Sequence, residues 1–288
     1  MEIGSNLRSF RKIKGMSQKD LCEGICSQSM LSQIEKNINI PSFYIIRDLC
    51  NKLEISLDDL SNMNNSITTL LKEEFKVQLL ELFYKRKYQQ IYKLILSDSK
   101  ISYFQTPTDK QLVQFYKAVY LGYEENNLED AYLLLEKSLQ NTYFKNKKDL
   151  TYLEILILNN LGIISMKLNL IDETYNYFHI IITDLETNKK VINESKITLI
   201  YYNIANAYSK SGQYEKALSI AIQGIAWANK PQISTKVRLS YLYYTKAYCE
   251  NILNISSYVE SYKIAYYLAI IDNDKFLMRY IQTKINID

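Results

Sequence analysis

Glycine and proline are scarce, with seven and three among 288 residues. All-β folds built on many tight turns, collagen-like repeats and long flexible linkers all need more of both. A mainly helical chain with short connections is what remains. Cysteines are few and unevenly placed (Cys22, Cys26, Cys50, Cys249), which argues against a disulfide scaffold and for a reduced, cytoplasmic protein. A structural zinc needs four ligands. Cys22 and Cys26 lie four apart on or beside one helix, and the single histidine, His179, is far along the chain. The thiols are therefore expected to be small buried hydrophobes, His179 a helix-surface residue, and no metal or other cofactor is expected. A Gly-rich phosphate loop and a compact carboxylate cluster are both missing, so the chain is not expected to be an enzyme. No apolar run reaches the roughly 18 residues of a membrane span; the most apolar stretch, 155–166, is interrupted by Asn159 and Asn160. The first residues lack the apolar core of a signal peptide. Strong charge of one sign is missing too, since the net charge is +4.

What is present is a hydrophobic content of 47%, ordinary for a packed protein, and a length that suggests two domains. Tyrosine is abundant, with 26 copies, alongside much Asn, Ile and Lys, the bias that AT-rich codons produce. The chain divides near residue 62. Before it come five short helices with clear punctuation. The first spans about 3–14, with Ile3, Leu7, Phe10 and Ile13 on or near one stripe, and ends at Gly15. Ser17 with Asp20 opens the second as a capping-box pair, and Leu21 and Ile25 face its core. Ser27 opens the third, Pro41-Ser42 the fourth and Ser56 with Asp59 the last. Residues 62–66 are polar and poor in helix propensity, as a linker would be. The expected domains are 1–61, a linker helix over 62–75, and 76–288.

The second part repeats. Ala131, Thr174 and Ala217 recur at a spacing of 43, as do Asn126, Asn169 and Gly212, then Leu128, Ile171 and Tyr214, then Val119, Gly162 and Ala205. Such columns describe a helix hairpin. A small residue lets helix A approach helix B, a turn residue breaks the chain, and a second small residue marks the crossing. About five units are expected, near 70–97, 110–141, 152–188, 196–229 and 236–271, with a capping helix near 274–286. Trp227 is expected to pack between the fourth and fifth.

The unit from Tyr201, with its small residue, turn Gly and Tyr214-x-x-Ala217, resembles a tetratricopeptide repeat, although the usual period is about 34. The N-terminal residues S-Q-K-D-L-C at 17–22, S-x-L-S-Q-I-E-K at 29–36, P-S at 41–42 and L-E-I-S-L-D-D-L at 53–60 resemble a repressor-type (Xre-like) helix-turn-helix. In combination and length the chain resembles the PlcR-type group of Gram-positive quorum-sensing regulators, within the Rap/NprR/PlcR/PrgX superfamily. The resemblance implies an all-α fold: a five-helix DNA-binding domain followed by a right-handed superhelix of about five helix hairpins and a capping helix. It also implies a transcription regulator controlled by a short secreted peptide re-imported into the cell, and a brace between Arg11 and Glu35.

With Leu31 and Ile34 turned inward, Ser29, Ser32, Gln33 and Lys36 point outward and Gln28 lies at the exposed edge of the third helix. Gln28, Ser29, Ser32 and Gln33 are the candidates for base edges in a major groove. Gln18, by position and by resemblance, is the candidate for a phosphate, and Lys19 and Lys36 could neutralise charge. Residues 1–60 hold eight Lys/Arg and eight Asp/Glu, so affinity must come from placement and from avidity. A homodimer on a palindromic operator in double-stranded DNA is expected. In the repeats, helix A lines the inner face. Its candidate peptide-binding residues are Tyr116 and Tyr120 in the second unit, and Asn159, Asn160 and Lys167 in the third. Tyr202, Asn203, Asn206 and Lys210 follow in the fourth, and Tyr241, Tyr244 and Tyr248 in the fifth. Amides can clamp a peptide unit in both directions, and Lys167 and Lys210, again 43 apart, could meet a carboxylate. Packing tyrosines and solvated polar faces would produce the same pattern. Two alternatives stay open: a repressor whose repeats only dimerise or hold a protein partner, and a repeat scaffold that no longer binds DNA.

Overall fold

Helix caps fall where the sequence places them. The computed structural model describes residues 3–62, 66–145, 147–187, 196–231, 233 and 237–286, and every regular element among them is a helix. The helices are α1 (Ile3–Ile13), α2 (Gln18–Cys22), α3 (Gln28–Glu35), α4 (Phe43–Leu53) and α5 (Leu57–Asn62). Ser17 and Asp20 form a reciprocal capping box, and Ser27 and Ser42 accept from the third backbone N–H of α3 and α4. Ser56 and Asp59 bond each other in the same way ahead of α5. Leu7, Leu21, Leu31, Ile34, Leu49, Leu53 and Leu60 form a closed core with Cys22 and Cys50. Ile25 is half-buried against it. Ile13 departs from expectation at 69% exposed. It ends α1, and Gly15, at φ 69°, turns the chain away before anything can cover it.

Helix α6 (Ser66–Tyr84) follows; residues 63–65 of the expected linker lie outside the described residues. By packing, the chain forms two units, 1–86 with 98–104 and 87–97 with 105–288. Helix α6 belongs to the first, where Phe75 meets Phe104 edge-on with ring centroids 5.5 Å apart. The first expected hairpin, near 70–97, is thus shared between the two units.

The second unit is a superhelical stack of hairpins. It begins with α7 (Tyr88–Ser97) and then pairs α8 (Pro107–Tyr123) with α9 (Leu128–Leu139), and α10 (Tyr152–Lys167) with α11 (Ile171–Thr187). Helix α12 (Ile197–Lys210) pairs with α13 (Tyr214–Ala228), α14 (Leu239–Ile252) with α15 (Tyr258–Ile271), and α16 (Lys275–Gln282) caps the end. The turn column is left-handed throughout: Asn126, Asn169, Gly212 and Asn254 have φ of 53°, 62°, 78° and 56°. The residue after each donates back across the helix end, Asn127 to Leu121, Leu170 to Ser165, Gln213 to Tyr208 and Ile255 to Glu250. Each turn therefore satisfies a carbonyl that the helix end would otherwise leave open. Part of the extra length over a tetratricopeptide repeat lies between hairpins, where α9 ends at Leu139 and α10 begins at Tyr152.

The small columns are close approaches. Ala131, Thr174, Ala205 and Ala217 are fully buried, and a Cβ on Gly162 would stand 2.3 Å from the Phe178 ring. Trp227 is buried, and its recorded ring partner is Tyr201 of its own hairpin. His179 is exposed, and Cys22, Cys50 and Cys249 are buried. Among the described residues no three His, Cys, Asp or Glu gather as a metal site requires, and no helix is long and apolar enough to cross a membrane. Gly162→Ala is expected to destabilise the protein by about 1–3 kcal/mol through overpacking, measured by urea unfolding; an unchanged midpoint would show that Phe178 moves aside freely.

Candidate functional site

The outer face of α3 is set by what its inner face must do. Leu31 and Ile34 are buried, so Gln28, Ser29, Gln33 and Lys36 are exposed and Ser32 half-exposed. Ser29 sits 3.0 Å from the capping hydroxyl of Ser27, at the helix N-terminus. Lys19 on α2 is exposed, and Gln18 is half-buried.

Beneath this face lies a buried charge. Glu35 accepts from Arg11 Nε at 2.6 Å and from Arg11 Nη2 at 2.9 Å, with side-chain exposures of 2% and 10%. Arg11 Nη1 also donates to the Met16 carbonyl at 2.8 Å, and Gln18 Nε2 donates to Glu35 Oε2 at 2.9 Å. Burial pushes the Glu35 carboxyl up. The hydrogen bonds from Arg11 and Gln18 and the Arg11 charge pull it down further, so it lies below the usual carboxylate range. The Arg11 guanidinium is raised in turn, first by its hydrogen bond to Glu35. One carboxylate therefore ties α1, the start of α2 and the end of α3 together. The Gln18 amide carries a second hydrogen besides the one it gives Glu35.

Sequence reasoning missed a second strut. The Gly4 N–H donates to Asn37 Oδ1 at 2.9 Å, and a Cβ on Gly4 would lie 1.8 Å from the Ile34 carbonyl oxygen. Asn37 has φ 57°, the left-handed residue that ends α3. Asn6 Nδ2 donates to the Leu60 carbonyl at 3.0 Å and so ties α1 to α5. A glycine inside an amphipathic helix was the available signal.

On helix A of the repeats the candidate residues separate. Tyr116 is 1% exposed and belongs to the core, so the expectation that it lines the inner face is not met. Tyr120 is also buried; its ring stacks on Tyr92 at 4.0 Å and its hydroxyl donates to Glu125, which pushes the phenol up to about 12. Asn159 and Asn160 are buried and satisfied within the protein. Tyr123 OH donates to Asn160 Oδ1 at 3.0 Å, Asn160 Nδ2 to the Leu156 carbonyl at 2.8 Å, and Asn203 Nδ2 to Asn159 Oδ1 at 3.2 Å. Asn203, Asn206, Tyr202, Tyr241, Tyr244 and Tyr248 are half-exposed, and Lys167 and Lys210 are exposed. Lys167 lies over the Tyr123 ring at 5.2 Å. Tyr202 and Tyr241 meet at 5.3 Å, and Tyr244 packs near Tyr248, Tyr262 and Tyr280 at 6.4, 5.8 and 5.6 Å. Two further residues join this row that the sequence did not single out. Tyr241 OH donates to Asp274 at 2.7 Å, and the Arg238 guanidinium lies 4.5 Å over the Tyr241 ring. Burial and then Asp274 push the Tyr241 phenol up to about 12.

A helix-turn-helix family model matches residues 7–60. The HTH-type transcriptional regulator YazB of Bacillus subtilis (strain 168) is 39% identical over 59 residues, which cover 20% of this chain and 86% of that protein. The chain belongs to the HTH-type transcriptional regulators. This regulator also shares its full-length fold with Bacillus thuringiensis PlcR. The PlcR complex with the peptide PapR7 and DNA superposes with a TM-score of 0.63, 23% identity and 99% coverage of both chains. Apo PlcR gives 0.67, 21%, and coverage of 99% and 100%. Those identities carry the fold. The HTH-type regulator is thus a DNA-binding protein and not an enzyme, and its second unit is a helical-repeat superhelix.

The Glu35 carboxyl titrates below its unfolded value, so its stabilisation is full above about pH 4.3 and is lost as pH falls through the lower folded value. Glu35→Gln leaves Arg11 buried and unpaired, and is expected to cost about 3–5 kcal/mol at neutral pH. The gap to the unsubstituted protein should close as unfolding is repeated at decreasing pH. A gap independent of pH would remove Glu35 as its cause.

Proposed function

We propose that this HTH-type regulator is a cytoplasmic, peptide-responsive switch. Its α3 reads base edges with Gln28, Ser29, Ser32 and Gln33, while Gln18, Lys19 and Lys36 hold the phosphate backbone. A single short helix discriminates weakly, so the protein works as a homodimer on a palindromic operator in double-stranded DNA. A short signalling peptide lies across the A helices and shifts the population of dimer geometries that fit the operator. No cofactor takes part. The observation that carries the reading is the row on the A helices, where half-exposed amides and tyrosines line up from Tyr123 through Asn203 and Tyr202 to Tyr241. Peptides need amides for their backbone and aromatic surface for their side chains. The common fold with PlcR, solved with a peptide and DNA, supports the same reading.

Burial and internal hydrogen bonds support a narrower peptide-contacting set than the sequence suggests. Tyr116 and Tyr120, turned to the core and to Tyr92 and Glu125, drop out, and Asn159 and Asn160 act from below, by orienting Asn203 and Tyr123. Tyr202, Asn203, Asn206, Tyr241, Tyr244 and Tyr248 supply the surface, and Lys167 and Lys210 supply charge for a peptide carboxylate. One observation favours a second reading, in which the repeats only dimerise or hold a protein partner: the buried amides are already bonded to their own neighbours.

Calorimetry with synthetic short peptides separates the two, and Asn203→Ala should weaken binding about fivefold to tenfold, the worth of one hydrogen bond. A dimer that binds its operator but none of the short peptides would leave the second reading. Gln28→Ala or Gln33→Ala should cost about 1–3 kcal/mol on the operator and little on random DNA. Equal losses on both duplexes would remove these residues from base reading.

A further inference from the structure

Arg238 stands at the head of the tyrosine stripe on α14. It directly precedes that helix, and Tyr241, Tyr244 and Tyr248 follow it at helical spacing. Its guanidinium lies 4.5 Å over the Tyr241 ring and is half-buried. The nearby carboxylate of Asp274 is already engaged. Its Oδ2 accepts from Tyr241 OH at 2.7 Å and its Oδ1 from the Leu277 N–H at 3.0 Å. Arg238 Nη1 stays 3.9 Å from Oδ2, too long for a hydrogen bond. The ring and Asp274 thus hold the guanidinium in place without using its N–H groups. Among the described residues it donates no hydrogen bond. A planar fork in this condition matches both oxygens of a carboxylate.

Contacts between α12 and α14 set the level of Arg238 along the groove. Thr198 Oγ1, at the start of α12, donates to the Val237 carbonyl at 2.5 Å. Tyr202 meets Tyr241 at 5.3 Å, and Ser209 Oγ, near the end of α12, lies 3.9 Å from the Cys249 thiol. The two helices therefore run side by side in one direction, and Arg238 stands level with the start of α12. Lys210 ends α12, on the stripe that carries Asn203 and Asn206. It is exposed and has no carboxylate partner among the described residues. From residue 198 to residue 210 the helix rises about 18 Å. The half-exposed amides and rings of the row lie between these two cations. An extended chain covers about 3.3–3.6 Å per residue, so about five residues of peptide join one cation to the other.

We propose that Arg238 is a carboxylate-binding residue of the peptide groove, and that the ligand is a short peptide with two carboxylates about five residues apart, one held by Arg238 and the other by Lys210. The inference rests on the peptide reading of the A helices and names the charge pattern that those helices select. A basic residue opposite Arg238 would meet like charge and be rejected. Asp274 and the Tyr241 ring act as positioning groups, since they fix the guanidinium before the peptide arrives.

The test presents the full-length protein with a pool of random octapeptides, acetylated at one end and amidated at the other, so that every carboxylate is a side chain. Retained peptides are sequenced by mass spectrometry. The unsubstituted protein should enrich peptides with two Asp or Glu about five residues apart. Arg238→Gln should reduce that preference to a single acidic position, and should bind a peptide selected by the unsubstituted protein about tenfold or more weakly, as expected for the loss of charge-assisted hydrogen bonds. Arg238→Glu should replace the lost acidic residue with Lys or Arg, a reversal that misfolding cannot produce. Retained peptides without an acidic pair, or an acidic pair kept by both variants, overturn the proposal and leave peptide binding standing. A pool from which nothing is retained overturns the peptide reading together with it.

Discussion

A carboxylate shut away from water must find cations and donors or the fold that encloses it fails, and Glu35 organises the DNA-reading unit on that condition. Its two oxygens take the Arg11 fork and the Gln18 amide, so three helices meet at one side chain. Desolvating such a group is expensive, and good geometry with every lone pair engaged is what offsets it. The arrangement gives α3 a fixed rotation about its own axis. That rotation decides which side chains look outward, and hence which could touch a base. The strut from Gly4 to Asn37 adds a second fixed point just past the same C-terminal end of α3. The reading helix is held at its C-terminal end while its outward side chains stay exposed.

The repeat unit obeys a different constraint. Each hairpin must reverse direction without leaving backbone carbonyls unsatisfied in a packed stack. Four left-handed residues at equivalent positions do this, three of them asparagine. Asparagine tolerates that conformation better than most residues. Glycine, the usual solution, stands in only one of the four. The small-residue columns then set how closely helices A and B pack, with Gly162 against Phe178 as the tightest case.

Much of this was legible in the chain. Serine caps paired with acidic residues three positions on gave the starts of α2 and α5, and Ser27 and Ser42 those of α3 and α4, because a cap is a local hydrogen bond. The repeat columns gave the hairpins and their turns, because a close approach leaves a size constraint at a fixed spacing. Depth was harder to read. Tyr116 and Tyr202 belong to the same residue type on equivalent helices, yet one is core and the other half-exposed. The stretch around Asn159 and Asn160 did carry a clue. Helix α10 has no polar face, and a helix that is apolar all round is enclosed on every side, so amides within it meet protein before they meet a ligand. The contact of Gly4 with Asn37 spans 33 positions and leaves no periodic mark. Likewise Asp274, at the start of α16, comes to Tyr241 only through tertiary packing, whereas Arg238 reaches the same ring from three residues earlier in the chain.

The uneven division of loop length has an evolutionary meaning. Turns inside hairpins are short and bound by a backbone hydrogen bond back across the helix end, so a residue added or lost there would break the reversal. Connectors such as 140–151 and 229–238 carry no such requirement and sit at the edge of the stack. A change of length in a connector would therefore alter the repeat period without touching the packing inside a hairpin. A search keyed to a single period would overlook a repeat that kept the hairpin packing and changed only its connector.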